Sequence, residues 1–259
     1  MTNVTALIHM GNDAFQREDF PRALSYYQQA MEGVRGDPDH LADLYGNLGN
    51  VYGAIGQVAQ ARDYYDQAVE ILKAREDYVR LGTTFANIGN LYVDGGASQE
   101  AIHFYKQAVL LLGREEPSEA LALLYSNFSL ALLQGSGSAD ALLYAEKGVR
   151  LAQGFPTPRL RAATLHRLAK AEGARGKTGD AKGHSEAAYT LYAQVGDEMG
   201  MAAALYHQAA LYEEMGDLLG AVRCMEQVVS MDEKYALPKR DENRKRLTAL
   251  YARLAPRTP

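Results

Sequence analysis

Apolar and small residues return along this chain at two nested intervals. The shorter is helical. Tyr45, Leu48, Gly49 and Tyr52 fall at i, i+3, i+4 and i+7, the spacing that places side chains on one face of a helix with 3.6 residues per turn. Tyr64, Tyr65, Ala68 and Leu72 carry the pattern onto a second helix. The longer interval spans a whole two-helix unit. Ala23, Ala61, Ala101, Ala141, Ala181 and Ala221 are separated by steps of 38, 40, 40, 40 and 40. Gly11, Gly49, Gly89, Ser129, Ala169 and Ala209 keep the same steps, as do Ala30, Ala68, Ala108, Gly148, Ala188 and Val228. Three small-residue series in phase predict six copies of that unit, with the small residues marking close helix approach.

The punctuation agrees. Gly56, Gly96, Gly137, Gly176–Gly179 and Gly216 fall where each first helix turns into its second, and the GSGS run at 135–138 reads as such a turn. Asp37, Asp77, Ser118, Thr157 and Asp197 recur as N-cap candidates, and Pro38 and Pro158 follow two of them at the first helical position. No alternating strand pattern is present. Leu247, Leu250, Tyr251 and Leu254 form a last amphipathic stripe. The expected architecture is an all-α right-handed superhelix, a solenoid of six helix-turn-helix repeats over residues 1–241, starting near 4, 42, 82, 122, 162 and 202. A capping helix over about 241–254 and a frayed tail, Arg257-Thr258-Pro259, complete residues 242–259.

The repeat resembles the tetratricopeptide repeat. Repeat two carries Tyr45, Leu48, Gly49, Tyr52, Gly56, Ala61, Tyr65 and Ala68, and repeat three carries Phe85, Ile88, Gly89, Tyr92, Gly96, Ala101, Tyr105 and Ala108. Repeat one gives Leu7, Met10, Gly11, Ala14, Phe20, Ala23, Tyr27 and Ala30, and repeats four to six are more degenerate. The usual period of that family is about 34 residues. A period of 40 is similar to the longer-helix subgroup of Pins-type scaffolds, kinesin light chains and Rap-type regulators. The resemblance implies a concave groove that holds an extended peptide, sometimes through groove asparagines.

Counted from Ala42, positions four, seven, eight and eleven of the first helix carry the repeat pattern and cluster within about 100° of arc. Positions two, five, six, nine and thirteen lie roughly opposite and form the candidate open face. Position six holds His9, Asn47, Asn87, Asn127, Arg167 and His207, and position nine holds Asn12, Asn50, Asn90, Leu130, Lys170 and Ala210. Asparagine is poorly suited to a helix interior. A side-chain amide offers one acceptor and two donors, which matches an extended peptide backbone. Asn12, Asn47, Asn50, Asn87, Asn90 and Asn127 are therefore candidate peptide contacts. The competing reading is that they are solvated or bond between adjacent helices. In the C-terminal half, His166, Arg167, Lys170 and His207 take over the open face, where Arg and Lys suit an acidic side chain or carboxyl terminus.

Composition narrows the function without naming a partner. The 259 residues include 27 Lys+Arg and 32 Asp+Glu, a net charge of −5, with one Cys and no Trp. Residues 239–259 hold seven Lys and Arg against Asp241 and Glu242, a local +5 that leaves −10 on residues 1–238. The acidic balance gives no support to nucleic-acid binding, and the basic end reads as the exposed face of a cap. No stretch has the length of a membrane span, and MTNVTALIHM lacks the features of a signal peptide. The lone Cys224 fits a cytoplasmic protein and a small buried side chain. Six histidines show no metal-ligand spacing, and no phosphate-loop motif occurs. The expectation is a non-catalytic adaptor without metal or cofactor that binds a protein or peptide partner. Self-assembly into a homo-oligomer, or service as the sensor module of a signalling regulator, are the alternatives.

Overall fold

A computed structural model describes residues 3–34, 36–135 and 137–254. Ser136 of the GSGS turn and the tail residues Arg257, Thr258 and Pro259 lie outside them. The described residues form thirteen α-helices and no strand, an all-α solenoid of repeats. They divide into two compact units, Met1–Glu116 and Pro117–Pro259. Unit one contains three helix pairs: α1 (Val4–Gln16) with α2 (Phe20–Gly33), α3 (Pro38–Ala54) with α4 (Val58–Ala74), and α5 (Tyr78–Asp94) with α6 (Ser98–Leu112). Unit two contains α7 (Glu119–Gly135) with α8 (Ser138–Ala152), α9 (Pro158–Gly173) with α10 (Thr178–Gln194), α11 (Glu198–Glu214) with α12 (Leu218–Tyr235), and the single helix α13 (Arg240–Leu254).

The alanine series is the core of the repeat. Ala23, Ala61, Ala101, Ala141, Ala181 and Ala221 are all fully buried. Each lies in the second helix of its pair, where only a methyl group fits between closely approaching backbones. In unit one a second contact sets the spacing of each pair. A Cβ built on Gly49 would lie 2.6 Å from Cε1 of Tyr65, and the same holds for Gly89 against Tyr105 at 2.6 Å and Gly11 against Tyr27 at 2.3 Å. The tyrosine ring thus lies directly on the first helix at the glycine. Its hydroxyl then reaches one residue further. Tyr27 donates to Asn12 Oδ1 at 2.7 Å, Tyr65 to Asn50 Oδ1 at 2.7 Å and Tyr105 to Asn90 Oδ1 at 2.6 Å. Burial pushes the Tyr27 hydroxyl up to about 12, so it remains a donor at any physiological pH.

Unit two replaces this device. At the tyrosine position stand Ala145, Ser185 and Met225, and at the glycine position Ser129, Ala169 and Ala209. Ser129 Oγ donates to the carbonyl of Ala141 at 2.7 Å, and Ser185 Oγ to that of Ala204 at 3.2 Å. In α7–α8 a small hydroxyl thus closes the gap that an aromatic ring fills in unit one; Ser185 instead joins α10 to α11, and in α11–α12 the buried Met225 takes the place.

Four of the five expected N-caps form. Asp37, Asp77, Ser118 and Asp197 accept hydrogen bonds from first-turn backbone N–H groups. Thr157 makes no such cap; its hydroxyl donates to the Glu119 carboxylate. Gly56 ends α3 at φ +79°, and the next N–H, of Gln57, returns to Tyr52 O at 2.8 Å. Helix α13 begins at Arg240 and packs on α12 through Leu250 and the half-buried Leu247. Tyr251 and Leu254, expected on the same buried stripe, are 46% and 41% exposed. Asn243 takes the inner place instead and donates to the buried Asp232 at 2.9 Å.

Gly49→Ala forces the Tyr65 ring off α3. The expected loss is about 1–3 kcal/mol in urea-induced unfolding. In the Tyr65→Phe background the alanine costs as much again, because ring and not hydroxyl is what the new methyl meets.

Candidate functional site

The first helices of unit one line a groove of about 460 Å³. Helix α1 contributes His9 and Asn12, α3 contributes Asp43, Asn47 and Asn50, and α5 contributes Arg80, Thr83 and Asn87. Positions six and nine of these repeats therefore share one surface, as helical geometry required. Asn90 is not among the lining residues.

The two asparagine positions differ in what they do. Position nine is committed to the fold, since Asn12, Asn50 and Asn90 each receive a tyrosine hydroxyl. Position six is not. Among the described residues, the half-buried side chains of Asn47 and Asn87 make no hydrogen bond. At one end of the groove, Arg80 is held by Asp77 at 2.6 Å, Asp39 at 2.5 Å and Asp43 at 3.2 Å. Burial opposes its charge, but the hydrogen bonds to those carboxylates outweigh it and raise an already high pKa, so Arg80 stays charged and fixed. The tyrosine partnership escapes a helical-wheel reading, although a spacing signal for it exists. Tyr27, Tyr65 and Tyr105 each follow their asparagine at one constant separation, and tyrosine and asparagine disappear together from repeats four to six.

In unit two, Asn127 sits half-buried on α7 and Arg167 half-buried on α9, and neither lines the pocket formed by the histidines below. His166, expected on the open face beside them, is only 5% exposed. Position five turns toward the next repeat, where His207 of α11 meets the His166 ring edge-on at 5.8 Å between centroids. Both histidines, with Lys170, line a pocket of about 370 Å³ closed by Tyr206, Leu237, Pro238 and Lys239. Burial, reinforced by nearby Lys170, holds His207 down to about 4, and burial holds His166 well below the usual imidazole range. Lys170 is pushed down to about 8 by burial, then by Arg167 and Lys239.

Other candidate chemistry resolves into structure. Cys224 is 7% exposed in the α11–α12 core, and burial raises its thiol pKa. No group of three potential metal ligands occurs among the described residues, and no helix there is long and apolar enough to cross a membrane. Much of the basic C-terminal charge is paired: Arg246 with Glu213 at 2.7 Å, Arg253 with the same carboxylate, and Arg244 with Glu233 at 2.6 Å. Arg246 also lies over the Tyr206 ring at 4.1 Å.

Tandem helix pairs presenting a groove define a repeat scaffold of the kind that mediates protein–protein interaction. The tetratricopeptide repeat profile matches residues 3–74 and 41–112, and a further tetratricopeptide repeat profile matches 202–235. The chain belongs to the tetratricopeptide repeat family. No curated protein matches it by sequence. Among solved structures it is similar to a STAND (signal transduction ATPase with numerous domains) protein with a tetratricopeptide repeat sensor from Pyrococcus horikoshii. That likeness has 17% identity and a TM-score of 0.75, covering 96% of this chain and 38% of that one. This chain thus spans about two fifths of that protein. It is also similar to a putative kinesin light chain from P. anserina (20% identity, TM-score 0.58, 74% and 96% covered). A third is a Rap protein complexed with competence and sporulation factor (12% identity, TM-score 0.67, 94% and 79% covered). At these identities the likeness is one of fold.

The buried histidines make unit two acid-sensitive. A cationic group with a folded pKa below its unfolded value costs stability as pH falls through the interval between them. Unfolding stability is expected to fall between pH 6.5 and pH 4, by about 2 kcal/mol for His207 after allowance for its partial exposure. A His166→Phe/His207→Phe variant loses that slope in urea titrations across the same range. A slope equal to wild type contradicts the assignment.

Proposed function

We propose that this chain is a non-catalytic interaction scaffold whose unit-one groove takes an extended segment of a partner protein. One observation carries the reading. Asn47 and Asn87 stand at the same position of successive repeats, line one groove and have no hydrogen-bond partner among the described residues. The amides of Asn47 and Asn87 are not among the fully buried polar atoms, so they stay open to a ligand that offers both a carbonyl and an N–H. An extended backbone offers that pair at every residue, so repeats in register grip it without reading its sequence. Side-chain selection falls to the charged end of the groove, where Asp39, Asp43 and Asp77 surround Arg80 and leave a net negative charge. A Rap protein of similar fold in complex with competence and sporulation factor supports ligand binding by this architecture. The single buried thiol is compatible with a reducing, cytoplasmic setting.

The test uses the full chain and peptides selected on it from a random displayed library. Titration calorimetry on the tightest peptide is expected to show a loss of roughly tenfold or more for Asn47→Ala/Asn87→Ala. The thermal midpoint of that variant stays at the wild-type value. Unchanged affinity in a folded variant sinks the groove reading. Light scattering over a concentration series separates it from self-assembly, which requires a mass that rises with concentration.

A further inference from the structure

The pocket of unit two combines features that no part of the groove reading uses. Lys170 is half-buried on α9, and no carboxylate lies within ion-pair distance of it or of Lys239 among the described residues. The two acids that line the pocket do not neutralise this charge. Asp232 is 1% exposed and engaged by Asn243, and Glu242 makes no ion pair among the described residues. Arg167, on the same helix, and Lys239, on the α12–α13 connection, add positive charge. His166 is buried and, among the described residues, neither its Nδ1 nor that of His207 has a hydrogen-bond partner. The remaining walls are apolar: Met199 at 61% exposure, Ala202, Ala203, Leu237 and Pro238. An ammonium drawn out of water costs free energy unless it is paired, and here no carboxylate of the described residues stands within ion-pair distance of Lys170.

We propose that this pocket binds an organic carboxylate with an apolar body, its carboxylate on the Lys170 ammonium and its body against Met199, Leu237 and Pro238. The volume suits a ligand of about ten to fifteen heavy atoms, near the lower end of small-molecule sites. Two sources share this chemistry, a free carboxylic acid and the C-terminal residue of a peptide. The site is independent of the unit-one groove. Its electrostatics also predict a pH profile. Without ligand, Lys170 titrates at about 8, so it is charged at neutrality and loses its attraction for an anion above that pH. The other nearby groups do not produce the same profile. His166 and His207 are neutral throughout it.

The test is calorimetry on the full chain with two pairs of probes. One is 3-phenylpropionate against 3-phenylpropanamide, and the other is N-acetylglycyl-phenylalanine with a free carboxylate against its C-terminal amide. At least one acid is expected to bind roughly tenfold or more tighter than its amide, with affinity level from pH 6 to 7.5 and falling above pH 8. Lys170→Met removes that preference and the pH dependence while leaving the thermal midpoint unchanged or higher, since the variant no longer desolvates a charge. Binding of the free acid alone assigns a small-molecule site, and binding of the peptide acid alone assigns a C-terminus. Failure of both acids to bind at millimolar concentration overturns the proposal. So does equal binding of the amides, or full affinity in folded Lys170→Met. Asn47→Ala/Asn87→Ala leaves these affinities untouched, so the outcome does not depend on the groove.

Discussion

A tyrosine ring pressed onto a glycine is the contact on which unit one depends. Removing one methyl group from the first helix lets the ring lie flat against backbone, and that approach brings the hydroxyl to the next residue along. The tyrosine is buried, so its hydroxyl needs an acceptor. Asparagine at position nine supplies it in all three repeats. The glycine, the tyrosine and the asparagine are thus one device made of three residues, and none of them is free to vary alone.

This constraint explains what unit two does with the same positions. Once tyrosine gives way to Ala145, Ser185 and Met225, position nine has no hydroxyl to accept, and Leu130, Lys170 and Ala210 replace asparagine. Lys170 occupies a place released from structural duty. It lies at the edge of a pocket whose far wall comes from the connection into α13. The terminal helix therefore does more than cover apolar surface. It places Leu237, Pro238 and Lys239 opposite α9 and ties down Glu213 and Tyr206 through Arg246.

Most of the fold was legible in the sequence because small residues at a helix crossing leave a periodic record. Six buried alanines at a nearly constant step determine the number of pairs, and aspartates before them mark the helix starts. The candidate site was legible only in part. Rotation about a helix axis separates an inner from an outer face, but it does not say which inner residues are already engaged. Asn47 and Asn50 look equivalent on a helical wheel. Only the tyrosine partner on the following helix distinguishes them, and that relation lies between helices. His166 shows the same limit. Its position faces the next repeat, so what covers it is decided by His207, on the first helix of that repeat. Likewise Tyr251 and Leu254 fit an amphipathic stripe, yet both stand exposed, with the Tyr251 hydroxyl donating to Glu226 at the surface of α12.

The division of the asparagines into a structural and a free set is the central claim, and urea unfolding of two double variants tests it most directly. Asn50→Ala/Asn90→Ala removes the acceptors of two buried tyrosine hydroxyls and is expected to cost about 2 kcal/mol. Asn47→Ala/Asn87→Ala removes two amides that hold nothing within the fold and improves helix propensity. Its stability is expected to match or slightly exceed that of the wild type. Equal destabilisation by both pairs would contradict the account.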